Sequence, residues 1–324
     1  MDFWRELTDL QKRQFIDAEA VFNALRDAEK AAREVRGSML WRTVKGKAYL
    51  IRTNVDNSQK SLGPRSAETE AIYDKFMARK TASTQRLTGL RQSLQLHQKL
   101  NRAHRVGRTP DIVVSILNQL QKAGIAEHFT TVGTHALFAY ESACGVRFAD
   151  EATTTQDIDL LLDTQKHLSL ASTLDAQHAS LLSTLQKVDA TFELRDEQLY
   201  TAVNSAGFEV DLICRVAQNH DTHPLKASSA ERDFWVVQVD SGARMASAAR
   251  FSQMVVSTTG QMALMTTLTP LAFCRIKRTL STQRSRDPRK KSRDALQARA
   301  VGALVEEWMP HLLSPGAPTM PKAP

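Results

Sequence analysis

The chain has too few cysteines for a disulfide framework. Cys144, Cys214 and Cys274 are its only three, 70 and 60 residues apart, and none stands in a C-x-x-C pair. An odd, scattered set argues against a disulfide framework. All three lie in apolar surroundings and are expected to be buried thiols. No apolar run approaches the roughly 18 residues of a membrane-spanning helix. The N-terminal MDFWRELTD has no apolar core of the kind secretory signals carry. A cytoplasmic protein without a membrane partner is the expectation. No internal repeat is present, and nothing near His135 has zinc-ligand spacing.

What is present is apolar residue in quantity and positive charge in excess. Of 324 residues, 42% are hydrophobic, enough for two or three packed units, and the formal net charge is +8. Such a balance suits a polyanionic partner, nucleic acid or nucleotide. Residues 2–36 have the apolar spacing of one long helix, ended by Gly37. Residues 38–53 read as two strands around Lys45-Gly46-Lys47, and 54–64 as a polar loop. A second long helix is expected from Ala67 to about Arg105, capped by Ser66, with Gly89 a break. Gly107 to Pro110 marks a boundary. An amphipathic helix over 111–126, a strand over 128–132, a turn at Gly133 and a helix over 135–143 follow. Residues 145–155 read as a loop and 168–188 as helical in tendency. Strands are expected over 190–195, 199–203 and 208–214, and weaker ones over 233–239, 244–248 and 254–256. Two helices, 271–281 and 292–308, close the ordered chain. Prolines at 315, 318, 321 and 324 predict a loose tail. The domains expected are 1–106, 107–215, 216–310 and a flexible 311–324.

The chemistry centres on residues 153–163, TTTQDIDLLLD. In a strand, positions i and i+2 share a face, so Asp157 and Asp159 project together while Ile158 and Leu160 face the core. Two carboxylates side by side repel, and a divalent cation is the usual compensation. Upstream, Gly133 lets a backbone approach a phosphate unhindered, and Thr134 offers a hydroxyl at a helix start. Downstream, Asp211 lies in FEVDLICR, opposite Val210 and Leu212, with Glu209 on its own face as the competing third carboxylate. Asp163 reads as the start of a turn. Between residues 275 and 293 stand nine basic residues: Arg275, Lys277, Arg278, Arg284, Arg286, Arg289, Lys290, Lys291 and Arg293. Such a run is a solvated face or a nucleic-acid-binding one. Lys277, beside Phe273 and Ile276, reads as a lysine with a half-buried stem and an ammonium reaching a polar site. Asp294 is placed to orient a neighbouring arginine, and His135 reads as structural or nucleotide-adjacent.

A glycine turn opening a helix, an Asp-x-Asp strand and a third carboxylate on a later strand resemble the DNA polymerase β-type nucleotidyltransferase superfamily. The segments WRTVKGKAYL, SLGPRSAETEAIYDKF, GTHALFAYESACGVRFADEATTTQDIDLLLD, FEVDLICR and RDPRKKSRDALQA are similar to a bacterial family known by that fold. More distantly, Lys277 followed by Arg293-Asp294 resembles the AbiEii-type toxin nucleotidyltransferases. The resemblance implies an α+β fold, with a polymerase β-type core of mixed sheet and helices. An N-terminal helical region with a β-hairpin and a C-terminal helical region would flank it. It implies Mg²⁺ or Mn²⁺ held by Asp157, Asp159 and Asp211, and an NTP held by Gly133, Thr134 and Lys277. The expected activity is transfer of NMP to an acceptor hydroxyl of RNA, tRNA above all, or of protein. A toxin role with an antitoxin partner accompanies it; the rival is an inactive nucleic-acid-binding or regulatory module. Two departures stand out. The turn is Gly-Thr in place of Gly-Gly or Gly-Ser, and Asp157 stands 24 positions after Gly133, a longer gap than is usual in the superfamily.

Overall fold

The computed structural model of the chain describes residues 3–218, 221 and 223–313. It is a mixed α and β molecule divided into two compact units: residues 13–104, and the described residues of 1–12 and 105–324.

The described residues open not in a helix but with a short strand, β1 (Trp4–Glu6). The helix expected from residue 2 starts at Asp9, as α1 (Asp9–Ala32), and buries Phe15, Ala18, Phe22 and Leu25 along one face. Helical spacing alone does not reveal β1, because its partner lies far along the chain. In the smaller unit, β2 (Ser38–Val44) and β3 (Lys47–Thr53) form the expected hairpin. A third antiparallel strand, β4 (Gln59–Pro64), occupies part of the stretch expected to be loop, hydrogen-bonded along β3 with a bulge at Leu50/Ile51. Helix α2 (Ala67–His104) runs through Gly89 without interruption. Gln14 Nε2 donates to Asn101 Oδ1 at 2.9 Å, a buried tie between the two long helices.

The larger unit carries the site. Helix α3 (Asp111–Lys122) buries Val113, Val114, Ile116, Leu117 and Leu120. Strand β5 (Phe129–Val132) ends in a 3-10 turn, Gly133–His135, that leads into α4 (Ala136–Cys144). The expected loop over 145–155 contains β6 (Val146–Phe148), paired with β1, and a one-turn helix, α5 (Asp150–Thr153). Strand β7 (Asp157–Leu162) follows. The helical stretch expected over 168–188 holds two helices, α6 (His167–Ala176) and α7 (Leu181–Gln186), because Ser180 starts a fresh helix with a capping box. Then come β8 (Glu193–Arg195), β9 (Gln198–Val203), β10 (Glu209–Arg215) and β11 (Val237–Val239). Residues 244–248, expected as a strand, belong largely to a short helix, α8 (Gly242–Ser247). A hairpin of β12 (Arg250–Val256) and β13 (Met262–Leu268) precedes α9 (Pro270–Thr282) and α10 (Pro288–Trp308). Residues 310–313 form a 3-10 turn, and the rest of the proline-rich tail lies outside the described residues.

The main sheet has the order β5-β7-β10-β9-β8, and β11 pairs with β10 beyond β9. Strands β7 and β10 are parallel neighbours, while β5 lies antiparallel to β7. Ile158, Leu160, Val210 and Leu212 are fully buried, in one core with the apolar faces of α3, α6 and α7. Residues of α4, α9 and α10 build a second core around Leu137, Tyr140, Phe273, Val301 and Leu304. The three cysteines are free and buried. Among the described residues no helix is long and apolar enough to cross a membrane.

Candidate metal and nucleotide site

The alternation that buries Ile158 and Leu160 leaves Asp157 and Asp159 on the other face of β7. In the parallel pairing, Asp211 stands directly beside Asp159, and Glu209 beside Asp157. One carboxylate oxygen from each of Asp157, Asp159 and Asp211 lies within 4.8 Å of the others. Among the described residues no other trio of His, Cys, Asp or Glu is so placed. Glu209, the competitor for the third place, is instead ion-paired with Arg195.

The electrostatics of the trio are strained. Burial, then the charges of Asp157 and Asp211, push the Asp159 carboxyl up to about 7, while Lys277 and Lys290 pull it partly back. Burial also raises Asp211, opposed by a hydrogen bond from Thr201 Oγ1 at 2.5 Å. Asp157 accepts from Thr155 Oγ1. Hard oxygen donors, crowded and short of positive charge, fit a hard divalent cation.

Gly133 closes the site from β5. Its φ is +72°, and a Cβ placed on it would stand 2.2 Å from Asp159 Oδ2. The glycine is therefore required twice, for its backbone conformation and for the carboxylate packed against it. Thr134 is buried, and its Oγ1 accepts from Gln297 Nε2 of α10 at 3.2 Å. His135 is 1% exposed, between Phe138 and Phe208, and among the described residues neither ring nitrogen has a partner. Burial holds its pKa down at about 4, against the pull of Asp157. The imidazole is therefore neutral at physiological pH.

Lys277 lies on the buried face of α9. Its Nζ donates to Asp294 Oδ1 at 2.7 Å, and Arg286 Nε donates to the other oxygen, Oδ2, at 3.0 Å. Burial pushes the Lys277 ammonium down, and Asp294 and then Asp159 restore part of the loss. Asp294 thus orients Lys277 and Arg286, while its neighbour Arg293 donates to the Thr154 carbonyl at 3.2 Å. Asp163 caps the turn after β7 by accepting from the Gln165 backbone at 3.1 Å.

Three participants were not assigned from the sequence. Thr201 lies in β9, opposite Asp211 in the register. Lys290, one member of the basic run, acts on Asp159. Gln297 reaches Thr134. Only Lys290 left a trace in the sequence, as one charge among nine. Spacing along α10 does carry a hint: 290, 293, 294 and 297 fall at i, i+3, i+4 and i+7, one face of a helix.

A carboxylate trio on adjacent parallel strands, a glycine packed on one of its members and a buried lysine nearby form an arrangement suited to metal-assisted phosphoryl chemistry. No curated protein and no solved structure matches the chain significantly. A family model does: the one described as Nucleotidyltransferase matches residues 111–316, a span that holds every residue of this site, and the chain belongs to that family.

Proposed function

We propose that the chain is a metal-dependent nucleotidyltransferase that moves NMP from an NTP to an acceptor hydroxyl, on a polymerase β-type core. The clustering of Asp157, Asp159 and Asp211 carries this reading. Magnesium, or manganese in its place, is the ion those oxygens would hold. When bound it supplies charge compensation for phosphate oxygens and lowers the pKa of an attacking hydroxyl.

The protein's own groups do the rest. Gly133 makes room for the Asp159 carboxylate packed against it, and Thr134 supplies a hydroxyl donor. Lys277, held by Asp294, adds fixed positive charge to a site dominated by carboxylates. Thr201 keeps Asp211 oriented. RNA, with tRNA foremost, is the favoured acceptor over protein, because Arg275, Arg278, Arg284, Arg289 and Lys290 are exposed on α9, on α10 and between them.

Incubation with each labelled NTP, Mg²⁺ and total cellular RNA or protein, followed by gel analysis, identifies donor and acceptor together. Asp157→Ala and Asp159→Ala are expected to abolish label transfer. Undiminished transfer by both variants would remove the proposal and leave the reading of a non-catalytic binding module.

A further inference from the structure

Gln297 is fully buried near the middle of α10, where an apolar residue would pack at less cost. Its amide nitrogen donates to the Ala152 carbonyl at 2.7 Å and to Thr134 Oγ1 at 3.2 Å. A carbonyl can only accept, so the nitrogen and not the oxygen of the amide must face Ala152. The second N–H of the same nitrogen then fixes Thr134 Oγ1 as an acceptor. The hydroxyl proton of Thr134 is thereby turned away from Gln297. No other hydrogen bond involves that hydroxyl among the described residues. The arrangement leaves Gln297 Oε1 buried without a partner among the described residues.

Ala152 lies in the short helix α5, whose exit leads through Thr155 to Asp157. Thr134 follows Gly133, which packs on Asp159. Gln297 therefore ties the glycine turn to the approach of the Asp-x-Asp strand. It sets the proton direction of one hydroxyl beside the carboxylates.

We propose that Gln297 is a positioning residue that presents the Thr134 hydroxyl as a hydrogen-bond donor to a phosphate of the bound nucleotide. The inference rests on the nucleotidyltransferase reading. It adds a residue that touches no substrate and acts only through Thr134. A purely structural Gln297 would hold α10 to the turn without regard to phosphate.

A double-mutant cycle on the full chain separates these roles. The variants are Thr134→Val, Gln297→Met and the two combined, with Gln297→Leu as a second apolar replacement should the first not fold. Binding of each NTP with Mg²⁺ is measured by calorimetry, and of the matching nucleoside by competition. One hydrogen bond to a charged phosphate corresponds to about a tenfold change in affinity. Thr134→Val is expected to weaken NTP binding about tenfold, Gln297→Met several-fold, and the combined variant no more than Thr134→Val alone. Nucleoside binding stays unchanged in all three. Losses that multiply in the combined variant, or that fall equally on nucleoside and NTP, overturn the assignment of Gln297 alone. An unmodified chain that binds no NTP overturns the nucleotidyltransferase reading, and this inference with it.

Discussion

Asp159 carries opposing demands: it is half-buried, beside two like charges, and in contact with the glycine turn. With its pKa raised to about 7, it holds a proton that an unfolded aspartate releases near pH 4. Its contribution to stability is therefore fully present below about pH 4 and declines as pH rises. It is lost once pH passes about 7. A cation reverses the balance, because it binds the ionised form and displaces the proton. Mg²⁺ or Mn²⁺ should raise the melting temperature more at pH 8 than at pH 6. Binding at pH 6 should release protons, read by calorimetry in two buffers of different ionisation enthalpy. A dissociation constant constant across pH 6–8 would contradict a carboxylate trio of this character.

Gly133 decides the geometry at the scale of elements, where β5 hands over to α4. Gly133→Ala must place a methyl carbon 2.2 Å from Asp159 Oδ2 and hold an alanine at φ +72°. The backbone penalty alone is about 1–2 kcal/mol. The larger effect falls on the carboxylate, which must move by an ångström or more, a displacement that costs about a hundredfold in rate at a reacting centre. The variant is expected to fold, with unchanged far-ultraviolet circular dichroism, and to lose label transfer about a hundredfold. Equal transfer by the variant would mean that Asp159 does not need its present position. The same turn marks the limit of what the sequence discloses. Period-two alternation exposed β7 and β10, and with them the shared face of Asp157, Asp159 and Asp211, because that signal is local. The elements that escaped depend on distant partners. Strand β1 exists only against β6, more than 140 residues away, and β4 only along β3. In β13, five of seven residues are buried, so no alternation announces it. Gln297 is a polar residue on a buried helix face, and only the proximity of Thr134 gives it meaning.

At the scale of the whole molecule, the site lies within residues 133–297, inside the span of the family match. Residues 3–12 nevertheless belong to the unit that contains it. Strand β1 pairs along β6, with Trp4 edge-on to Phe148 at a centroid distance of 6.3 Å. Lys12 lies 5.4 Å above the Trp308 ring, and Gln11 Nε2 donates to the Arg105 carbonyl at 3.1 Å. The chain thus leaves this unit after residue 12 and re-enters it at residue 105, at neighbouring points. Truncation to 105–324 removes a strand and exposes the aromatic face that Phe3 and Trp4 cover. Burial of such side chains stabilises by about 1.5–3 kcal/mol each. A chain in which 12 is joined to 105 by a short glycine-serine linker keeps all of these contacts. The linked chain is expected to unfold cooperatively and to bind Mg²⁺-NTP as the intact protein does. The simple truncation should melt lower by about 5 °C or more. Equal melting temperatures for the two would show that β1 adds nothing to this unit. Loss of NTP binding by a well-folded linked chain would show that residues 13–104 contribute to the nucleotide site itself.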